Sequence, residues 1–331
     1  MKTSSRKVKI RVKNVKTWSL VTVLAGSLLG LSGCGAEALW LIDEETDPAK
    51  IDLSDFEATP VPEEEKAKEI IERIEPQEEL HAMLPPEYRA GLKWTTSVGY
   101  PPMELWASNN EDIIGVDPAM ARAMSAALGV EMTLEDQEFN AMIPGLISGR
   151  YDVLASSMTD TEERRETTSF VSYVKSGNAF LVEKGNPLNV EVPEDLCGKK
   201  VALVDGGSSA AFAEGVSAEC ESNNEEPYEI LRFEQDQTAN LALESGRADA
   251  TVTDLPVALS HASSDNKNFE AVPIDGDEAI WGIGIDNAQT QLAEAIQAAM
   301  QYLMDEGYYE EILAAWDVEV MAVDEATLNG G

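Results

Sequence analysis

Two stretches of the chain share one layout: "LISGRYDVLASS" from Leu146 to Ser157, and "LESGRADATVTD" from Leu243 to Asp254. Each is typical of a helix end followed by a Ser-Gly-Arg turn, an aspartate, a short β run and a final polar residue. A glycine in such a turn favours the left-handed backbone that ends a helix. The repeat therefore indicates two lobes of similar build, although Ser-Gly-Arg-x-Asp is also a common helix-to-strand turn.

Strands and helices alternate around these two stretches, which indicates an α/β fold. "LKWTTSV" predicts a strand, "GVDPAMARAMSAALGV" a helix and "VEMTLED" the next strand. The helix is expected to begin at Asp117 as its cap, with Pro118 next, and to end at Gly129. Ligands of open α/β sheets bind beyond the carboxyl ends of the strands, so Ser157 and Asp254 are expected at a shared cleft.

A second informative stretch is "SSMTDTEERRE", from Ser156 to Glu166. Thr159 and Glu162 fit a capping box, and Thr161 is an equally good N-cap. Arg164 adds a guanidinium about one turn into the helix, so free amides, hydroxyls and a cation converge where a carboxylate could bind. The alternative is an ordinary capped surface helix with solvated arginines.

The charge of the chain excludes some partners. Its 331 residues are enough for two domains, and they carry a formal net charge of −37. Seven of the 24 basic residues lie in residues 1–33, which leaves 17 against 61 acidic residues in the rest. Nucleic acid and anionic lipid are therefore poor partners. The acidity itself is typical of a solvated, soluble surface, and adaptation to high salt is the alternative.

The N-terminus predicts export. The apolar run from Trp18 to Leu31 follows a basic start and is shorter than the roughly 20 residues that span a bilayer, so residues 1–33 are expected to be a signal peptide. The following "LSGCG" resembles the bacterial lipobox, which implies that Cys34 is acylated, with palmitate or a similar chain, and anchors the protein. This would place the protein on the outer face of the cell membrane, and the family resemblance described below, through its "DLCGK" element, implies a membrane of the Gram-positive type. The alternative is ordinary signal cleavage beside an unrelated cysteine.

Export also bears on the other two cysteines. Cys197 and Cys220 would lie in an oxidising compartment, where we expect them to form a disulfide that stabilises the fold by roughly 3 kcal/mol. The two histidines, His81 and His261, lie far from both cysteines in the sequence, so no metal site and no cofactor are expected.

The ends of the chain have simpler readings. Residues 34–77 are acidic and proline-rich, which predicts an extended tether with one short helix in "PEEEKAKEIIERI". Near the C-terminus, apolar residues at helical spacing predict two core helices separated by Gly307.

From about Leu80 to Val318 the chain resembles the polar amino-acid group, family 3, of the extracytoplasmic solute-binding proteins of ABC importers. The resemblance rests on an ordered set of motifs: "YPPMEL", "GVDPAMARAM", "FNAMIPGLISGRYDVLASSMTDTEERRETTSFV", "SGNAFLVEKGNP", "DLCGKKVALVDGGSS", "LALESGRADATVTDLPVAL" and "MDEGYYEEILAAWD". It implies a two-lobed periplasmic-binding-protein-like fold of type II, in which each lobe is a mostly parallel sheet flanked by helices and two crossover hinge strands join the lobes. The expected divisions are residues 78–181 and 278–320 for lobe 1, 182–277 for lobe 2 and 321–331 for a tail.

The resemblance also implies ligand contacts at Tyr100, Phe139, Ser157, Thr159, Arg164, Ser209 and Asp254. Arg164 would pair with the α-carboxylate of a free amino acid, helped by Thr159 and Ser209. Lysine could not replace this arginine, because only the planar guanidinium donates two parallel hydrogen bonds to a carboxylate. Asp254 and Ser157 would hold the α-ammonium, and the two aromatic residues would enclose the side chain. A zwitterion would neutralise Arg164 and Asp254 together.

Each assignment has a plainer alternative. Tyr100 and Phe139 could be core residues, Asp254 could cap the helix of "LPVAL", and Ser209 could be a turn residue. The "GGSS" turn is one residue longer than is usual in the family, which leaves Ser208 and Ser209 as rival contacts.

One departure from the family bears on the ligand. Position 97 is serine, whereas basic-amino-acid and glutamine binders usually carry aspartate there. A cationic side chain then loses its obvious counter-ion, which favours an uncharged polar or small apolar amino acid.

The predicted function is therefore an amino-acid-binding lipoprotein, a monomer that passes its ligand to an ABC permease with its ATPase, and not an enzyme. A sensory receptor domain is one alternative. The other is a dehydratase or lyase on the same scaffold, for which Glu104 and Glu138 are the nearest candidate acids or bases.

Overall fold

The computed structural model describes residues 64–263 and 268–330, apart from the side chains of Asp275 and Asp277. The helices of this part are α1 (Glu64–Ile71), α2 (Glu78–Met83), α3 (Val116–Leu128), α4 (Met142–Ile147), α5 (Glu162–Arg165), α6 (Ser208–Ser222), α7 (Asp236–Glu244), α8 (Leu255–Ser263), α9 (Thr290–Asp305) and α10 (Tyr308–Ala315). The strands are β1 (Gly91–Thr96), β2 (Leu105–Trp106), β3 (Ile113–Ile114), β4 (Glu131–Asp136), β5 (Val153–Leu154), β6 (Thr168–Glu183), β7 (Lys200–Val204), β8 (Glu229–Phe233), β9 (Ala250–Asp254) and β10 (Phe269–Asp286).

Eight of these strands form one continuous sheet in the order β4-β1-β5-β10-β6-β9-β7-β8. Strands β4, β1 and β5 are parallel at one end, and β9, β7 and β8 are parallel at the other. The long strands β6 and β10 lie between them, antiparallel to each other, and run from one half of the sheet into the other. The predicted fold, two mostly parallel lobes joined by two crossover strands, is confirmed.

The two Ser-Gly-Arg turns have the same geometry. Gly149 and Gly246 have φ values of 71° and 69°, the left-handed conformation that ends a helix. Asp152 and Asp249 each accept a hydrogen bond of 2.8 Å from a backbone N–H in the neighbouring parallel strand. Each unit thus joins a helix to a strand, β5 or β9, whose carboxyl end faces the other lobe.

The first predicted lobe boundary lies a few residues too late. Residues 178–181 of β6 pair with β9 in the second lobe. Phe180 and Leu181 also pack into the apolar clusters of that lobe. The chain therefore crosses between the lobes before residue 178 rather than after residue 181.

Lobe 1 has one large core to which both of its chain segments contribute. Trp94, Met124 and Trp281 are fully buried in it. The predicted apolar face near the C-terminus also lies in this core, at Leu292, Ile296, Met300 and Leu303. The two predicted C-terminal helices are α9 and α10, and Gly307 between them has a φ of 79°. The core therefore ties the end of the chain to the beginning of the lobe.

Lobe 2 is held by smaller clusters and a disulfide. Its main cluster contains Phe180, Leu203 and Val252, and two further small clusters lie around it. Cys197 and Cys220 are bonded, with an S–S distance of 2.00 Å, and Cys220 belongs to the main cluster. The disulfide thus fastens α6 to the segment before β7.

The predicted extended tether is wrong from Glu64 onward. The short helix of that segment exists as α1, but Ala67, Ile70 and Ile74 are buried in the core of lobe 1. The backbone N–H of Gln77 donates to the carbonyl of Ala127 in α3 at 2.8 Å. The apolar residues of α1 recur at helical spacing and therefore lie on one face of the helix. Packing this face against α10 and α3 stabilises the helix more than exposure to water would.

Residues 321–330 are likewise part of lobe 1 and not a separate tail. Ala322 and Leu328 form isolated bridges with Val174 and Val171 of β6. The backbone N–H of Ser172 donates to the carbonyl of Thr327 at 2.9 Å. This segment therefore forms hydrogen bonds with backbone groups of β6 and belongs to lobe 1.

Candidate functional site

A cavity lies between the two lobes at the carboxyl ends of their strands, with an empty volume of about 590 Å³ that is partly open to solvent. Five of the seven predicted contact residues line it, namely Tyr100, Phe139, Ser157, Ser209 and Asp254. Thr159 lines an adjoining cavity beside the crossover strands, and Asp254 lines this cavity as well. Arg164 lines neither cavity, and its position is described below.

Asp254 and Tyr100 meet across the cleft. Asp254 is the last residue of β9, and its Oδ2 accepts a hydrogen bond of 2.5 Å from the hydroxyl of Tyr100 in lobe 1. The same hydroxyl accepts from the backbone N–H of Asp254 at 3.1 Å and from Thr253 Oγ1 at 3.0 Å. Burial, together with the charge of Asp254, raises the pKa of Tyr100 well above its ordinary value, so the phenol stays protonated and donates.

Arg164 lies in the one-turn helix α5, at the lobe interface. Of the two candidate caps, Thr161 is the N-cap, and its Oγ1 accepts from the backbone N–H of Arg164 at 3.3 Å. The guanidinium donates to the carbonyl of Thr159 at 2.7 Å and, across the cleft, to the carbonyl of Gly206 at 2.9 Å. It lies over the ring of Phe139, 5.6 Å from the centroid. Arg164 is therefore not a solvated surface arginine.

Burial lowers the pKa of Arg164 from its ordinary value, and the nearby charge of Asp254 opposes this shift. Arginine remains protonated in proteins even so. A guanidinium has five N–H donors, and the two bonds to carbonyls use two of them. Donors therefore remain for an anion in the cleft.

The two serines of the "GGSS" turn have different partners. Ser208 Oγ lies 2.8 Å from Thr159 Oγ1 and so connects the lobes. Ser209 is buried, and its hydroxyl donates to Asn178 Oδ1 of β6 at 2.6 Å. Both line the cavity at the N-terminus of α6, but Ser208 is the one that faces Thr159.

Ser157 is held by two buried carboxyl groups of lobe 1. Its backbone N–H donates to Asp117 Oδ2 at 2.6 Å and its hydroxyl donates to the same oxygen at 3.1 Å, while its φ is 45°. Tyr173 of β6 donates to the other oxygen of Asp117 at 2.6 Å. Ser156 donates to Glu104 Oε1 at 2.8 Å. Ser157 thus owes its unusual backbone conformation to a network that lies beneath the cavity.

The prediction that Asp117 caps its helix is wrong. Gly115 is the N-cap of α3, and Asp117 lies in the first turn with its carboxyl group fully buried. Burial raises the pKa of Glu104 well above its ordinary value, with Asp117 as the next cause, and burial also raises the pKa of Asp117. Burial therefore favours the protonated form of Glu104, while hydrogen bonds with Tyr173, Glu104 and Ser157 favour the ionised form of Asp117.

Sequence reasoning considered Glu104 only as a rival catalytic group. Glu104 does line the cavity, whereas Glu138, the other nominee, does not belong to its lining. The spacing of Glu104 from Tyr100 in "YPPMEL" could have placed it there.

Two further carboxyl groups of lobe 2 line the cavity, and the sequence analysis did not single them out. Glu234 and Asp236 follow the carboxyl end of β8. Asp236 is buried: its Oδ2 accepts from Asn240 Nδ2 at 2.8 Å and lies 2.8 Å from His261 Nε2, and its Oδ1 accepts from Thr253 Oγ1 at 3.3 Å. The rule that ligands bind beyond strand ends would have identified this position.

These carboxyl groups change the expectation for the ligand. Ser97 lines the cavity and contributes no charge to it. Because Glu234 and Asp236 line the same cavity, the cleft does not lack a counter-ion for a cationic side chain. The preference for an uncharged ligand therefore loses its basis.

Other features concern anchoring and metals. Cys34 and the predicted signal peptide lie outside the described residues. Within residues 64–263 and 268–330, no helix is long and apolar enough to cross a bilayer. In the same part of the chain, no group of three or more His, Cys, Asp or Glu side chains could hold a metal ion.

The sequence of this chain is similar to those of known solute-binding proteins. The sequence profile of the bacterial extracellular solute-binding proteins, family 3, matches residues 92–319. An arginine-binding protein of Corynebacterium glutamicum is 34% identical over 77% of this chain and 84% of its own length.

Solved structures agree with the sequence relatives. An ancestral arginine-binding protein bound to glutamine has a TM-score of 0.63 and 30% identity over 69% of this chain and 97% of its own. The same ancestral protein bound to arginine has a TM-score of 0.63 and 30% identity over 68% and 97% of the two chains.

Proposed function

This chain belongs to family 3 of the bacterial extracellular solute-binding proteins, and from that premise we propose that it captures a free amino acid between its lobes and delivers it to an ABC permease. The observation that carries the proposal is that Asp254 and Tyr100 line one interlobe cavity while Arg164 reaches across the same cleft to Gly206, so that a fixed charge of each sign lies at the lobe interface. An amino acid carries the complementary pair of charges.

Asp254 is proposed to accept the α-ammonium group, with Ser157 beside it. Its carboxylate lies at the end of β9 and is 8% exposed, so its charge is costly to bury without a cation. The ammonium would take the place of the Tyr100 hydroxyl on Oδ2, and Tyr100 would remain as one wall of the cavity with Phe139 opposite.

Arg164 is proposed to bind the α-carboxylate through the donors that its carbonyl bonds leave unused. Thr159 and Ser208 lie beside it, and Ser209 lies one residue further along α6. The N-terminus of this 15-residue helix adds backbone N–H groups and a favourable dipole for an anion. Because Ser208 faces Thr159 and Ser209 is committed to Asn178, Ser208 is the better candidate for direct contact.

Calorimetric titration of the full chain with the twenty standard amino acids tests this function. We expect micromolar or tighter binding of a subset, and loss of that binding in Arg164→Ala. The set includes both basic and uncharged amino acids, because carboxyl groups that could bind a cationic side chain line the cavity. Retention of full affinity in Arg164→Ala, or no binding of any amino acid, would refute the proposal.

We also propose that residues 1–33 are a signal peptide and that Cys34 carries the lipid that anchors the protein, as a monomer, to the outer face of the membrane. The support is the apolar run followed by "LSGCG". In cells, Cys34→Ala should move the protein from the membrane fraction to the medium. Continued membrane attachment of that variant would refute the anchor and leave ligand capture untouched.

A further inference from the structure

We infer that the bound amino acid has a cationic side chain and that Asp236 and Glu234 of lobe 2 are its counter-ions. In the proposed geometry they replace the carboxylate that position 97 does not supply. The inference rests on the proposed function, because it concerns the far end of the same cavity.

A continuous path connects Asp254 to Asp236 along one side of the cavity. Asp254 Oδ2 is 2.5 Å from the Tyr100 hydroxyl, which is 3.0 Å from Thr253 Oγ1, which in turn is 3.3 Å from Asp236 Oδ1. An amino acid whose ammonium lies on Asp254 can extend its side chain along the ring of Tyr100. The end of a long side chain then lies beside Asp236.

Asp236 is built into the protein as a fixed acceptor. It is 5% exposed, and Asn240 and His261 contact its Oδ2. Within residues 64–263 and 268–330, its Oδ1 accepts one side-chain hydrogen bond, the 3.3 Å bond from Thr253. A carboxylate oxygen accepts more than one hydrogen bond, so Oδ1 has capacity for a donor from the ligand.

Glu234 complements it from the more exposed side of the cavity. It lies at the end of β8, lines the cavity and makes no hydrogen bond or ion pair within the described residues. Glu104 does not compete for this role, because its oxygens accept hydrogen bonds from Ser156 and Ser157 and burial raises its pKa well above the ordinary value. Asp236 and Glu234 are therefore the carboxyl groups that face the side chain of the ligand.

The charge balance then selects the ligand. Arg164 and Asp254 are matched by the two charges common to every amino acid. An uncharged side chain would leave Asp236 with only its contacts to Asn240, His261 and Thr253, and would leave Glu234 without a cation, whereas a cationic side chain adds a positive charge beside both carboxyl groups. The aromatic walls agree with this, since the faces of Tyr100 and Phe139 favour a cation, and Phe139 already carries the guanidinium of Arg164.

The experiment compares pairs of ligands that differ mainly in side-chain charge, at fixed pH and ionic strength, on the full chain. Arginine is paired with citrulline, and lysine with norleucine. Each pair is titrated against wild type, Glu234→Gln and Asp236→Asn. Glu229→Gln is the matched control, because Glu229 is exposed on the same strand, β8, but does not line the cavity.

We expect wild type to bind one of the cationic ligands at least tenfold more tightly than its neutral partner, as one charge-assisted contact implies. Glu234→Gln and Asp236→Asn should each reduce that ratio at least threefold, while Glu229→Gln preserves it. Because Glu234 is exposed, Glu234→Gln should fold even if Asp236→Asn does not.

The inference is overturned if citrulline and norleucine bind as tightly as their cationic partners, or if Glu234→Gln and a folded Asp236→Asn both keep the wild-type ratio. In either case the proposed function stands provided that some amino acid binds and that Arg164→Ala abolishes this binding. If no amino acid binds at all, the proposed function fails, and the inference fails with it.

Discussion

The two lobes contain the same helix–turn–strand unit but present different chemistry to the cavity between them. In lobe 1 the unit leads to Ser157, an uncharged residue held by the buried carboxyl groups beneath it. In lobe 2 the corresponding strand ends at Asp254, whose charge faces the cleft. The turn geometry is common to both lobes. The fold therefore determines where the last residue of each unit lies, and the identity of that residue determines its chemical role.

The lobes also differ in the sign of the charge that they contribute. Lobe 1 supplies Arg164, hydroxyl groups and the two aromatic walls. Lobe 2 supplies Asp254, Asp236 and Glu234, together with the N-terminus of α6. A ligand that carries both charges in matching positions would therefore interact with both lobes at once and favour their closed arrangement.

The largest expected effect separates the two strand ends. Asp254→Ala should weaken amino-acid binding by about 2–5 kcal/mol, since it removes one member of a buried charge pair. Ser157→Ala should cost only about 0.5–1.5 kcal/mol, the range for a neutral hydrogen bond. Calorimetric titration of both variants measures the difference, with circular dichroism as the control for folding. Equal losses would contradict the distinction between the two ends.

A second difference is predicted in stability. Reduction of the Cys197–Cys220 bond should lower the free energy of unfolding of lobe 2 by about 3 kcal/mol, because its cores are small and the unfolded chain gains freedom. Hydrogen exchange should then show faster opening of β7 and β9 and unchanged protection in β1. The Cys197→Ser/Cys220→Ser variant should reproduce this pattern. A uniform loss of protection in both lobes would show that they unfold as one unit.

A third test concerns the buried network of lobe 1 that holds Ser157. Burial holds the folded-state pKa of Glu104 above its unfolded value, so its stabilising contribution is complete below the unfolded pKa and declines as pH rises towards the folded pKa. Glu104→Gln should remove this decline, by at most about 1.4 kcal/mol per pH unit for one proton.

Urea unfolding of wild type and Glu104→Gln between pH 5 and 8 measures this slope. Glu111→Gln, an exposed carboxyl group in the same lobe, should behave like wild type. An unchanged slope in Glu104→Gln would mean that Glu104 is ionised in the folded protein.

The smallest effect tests the feature that the lobes share. Asp152→Ala and Asp249→Ala each remove one hydrogen bond to a strand N–H, so each should cost about 1 kcal/mol of stability. Urea unfolding measures both. Because the geometry is the same, the two losses should agree within about 0.5 kcal/mol. A much larger loss in one lobe would show that the two turns are alike in shape only.

Much of the fold could be predicted from local patterns. The Ser-Gly-Arg turns, the helix that ends at Gly129 and the two C-terminal helices all follow from glycine placement and apolar spacing, which act over a few residues. Asp117 shows the limit of such reasoning. Its position beside Pro118 is that of a cap, but burial against Tyr173 gave its carboxyl group a partner 56 residues away, which no local pattern shows.

The site was predictable to the extent that it rests on motifs. The resemblance predicted that Tyr100 and Asp254 both lie at the ligand site, and in the structure the two side chains are hydrogen-bonded to each other. Asp236 was missed because its partners Thr253 and His261 come from other elements and meet it only after folding. The choice between Ser208 and Ser209 likewise depended on Asn178, a residue of a crossover strand.

The docking of α1 on lobe 1 has a mechanical consequence. The described chain enters the molecule at Glu64, on the body that carries Arg164, and no part of α1 belongs to the clusters of lobe 2. If the N-terminus is anchored as proposed, the anchor holds lobe 1, and lobe 2 is the half that is free to move when the cleft closes. A fluorescent reporter on lobe 2 would then register binding of an amino acid as movement relative to the anchor, while a reporter on α1 would not.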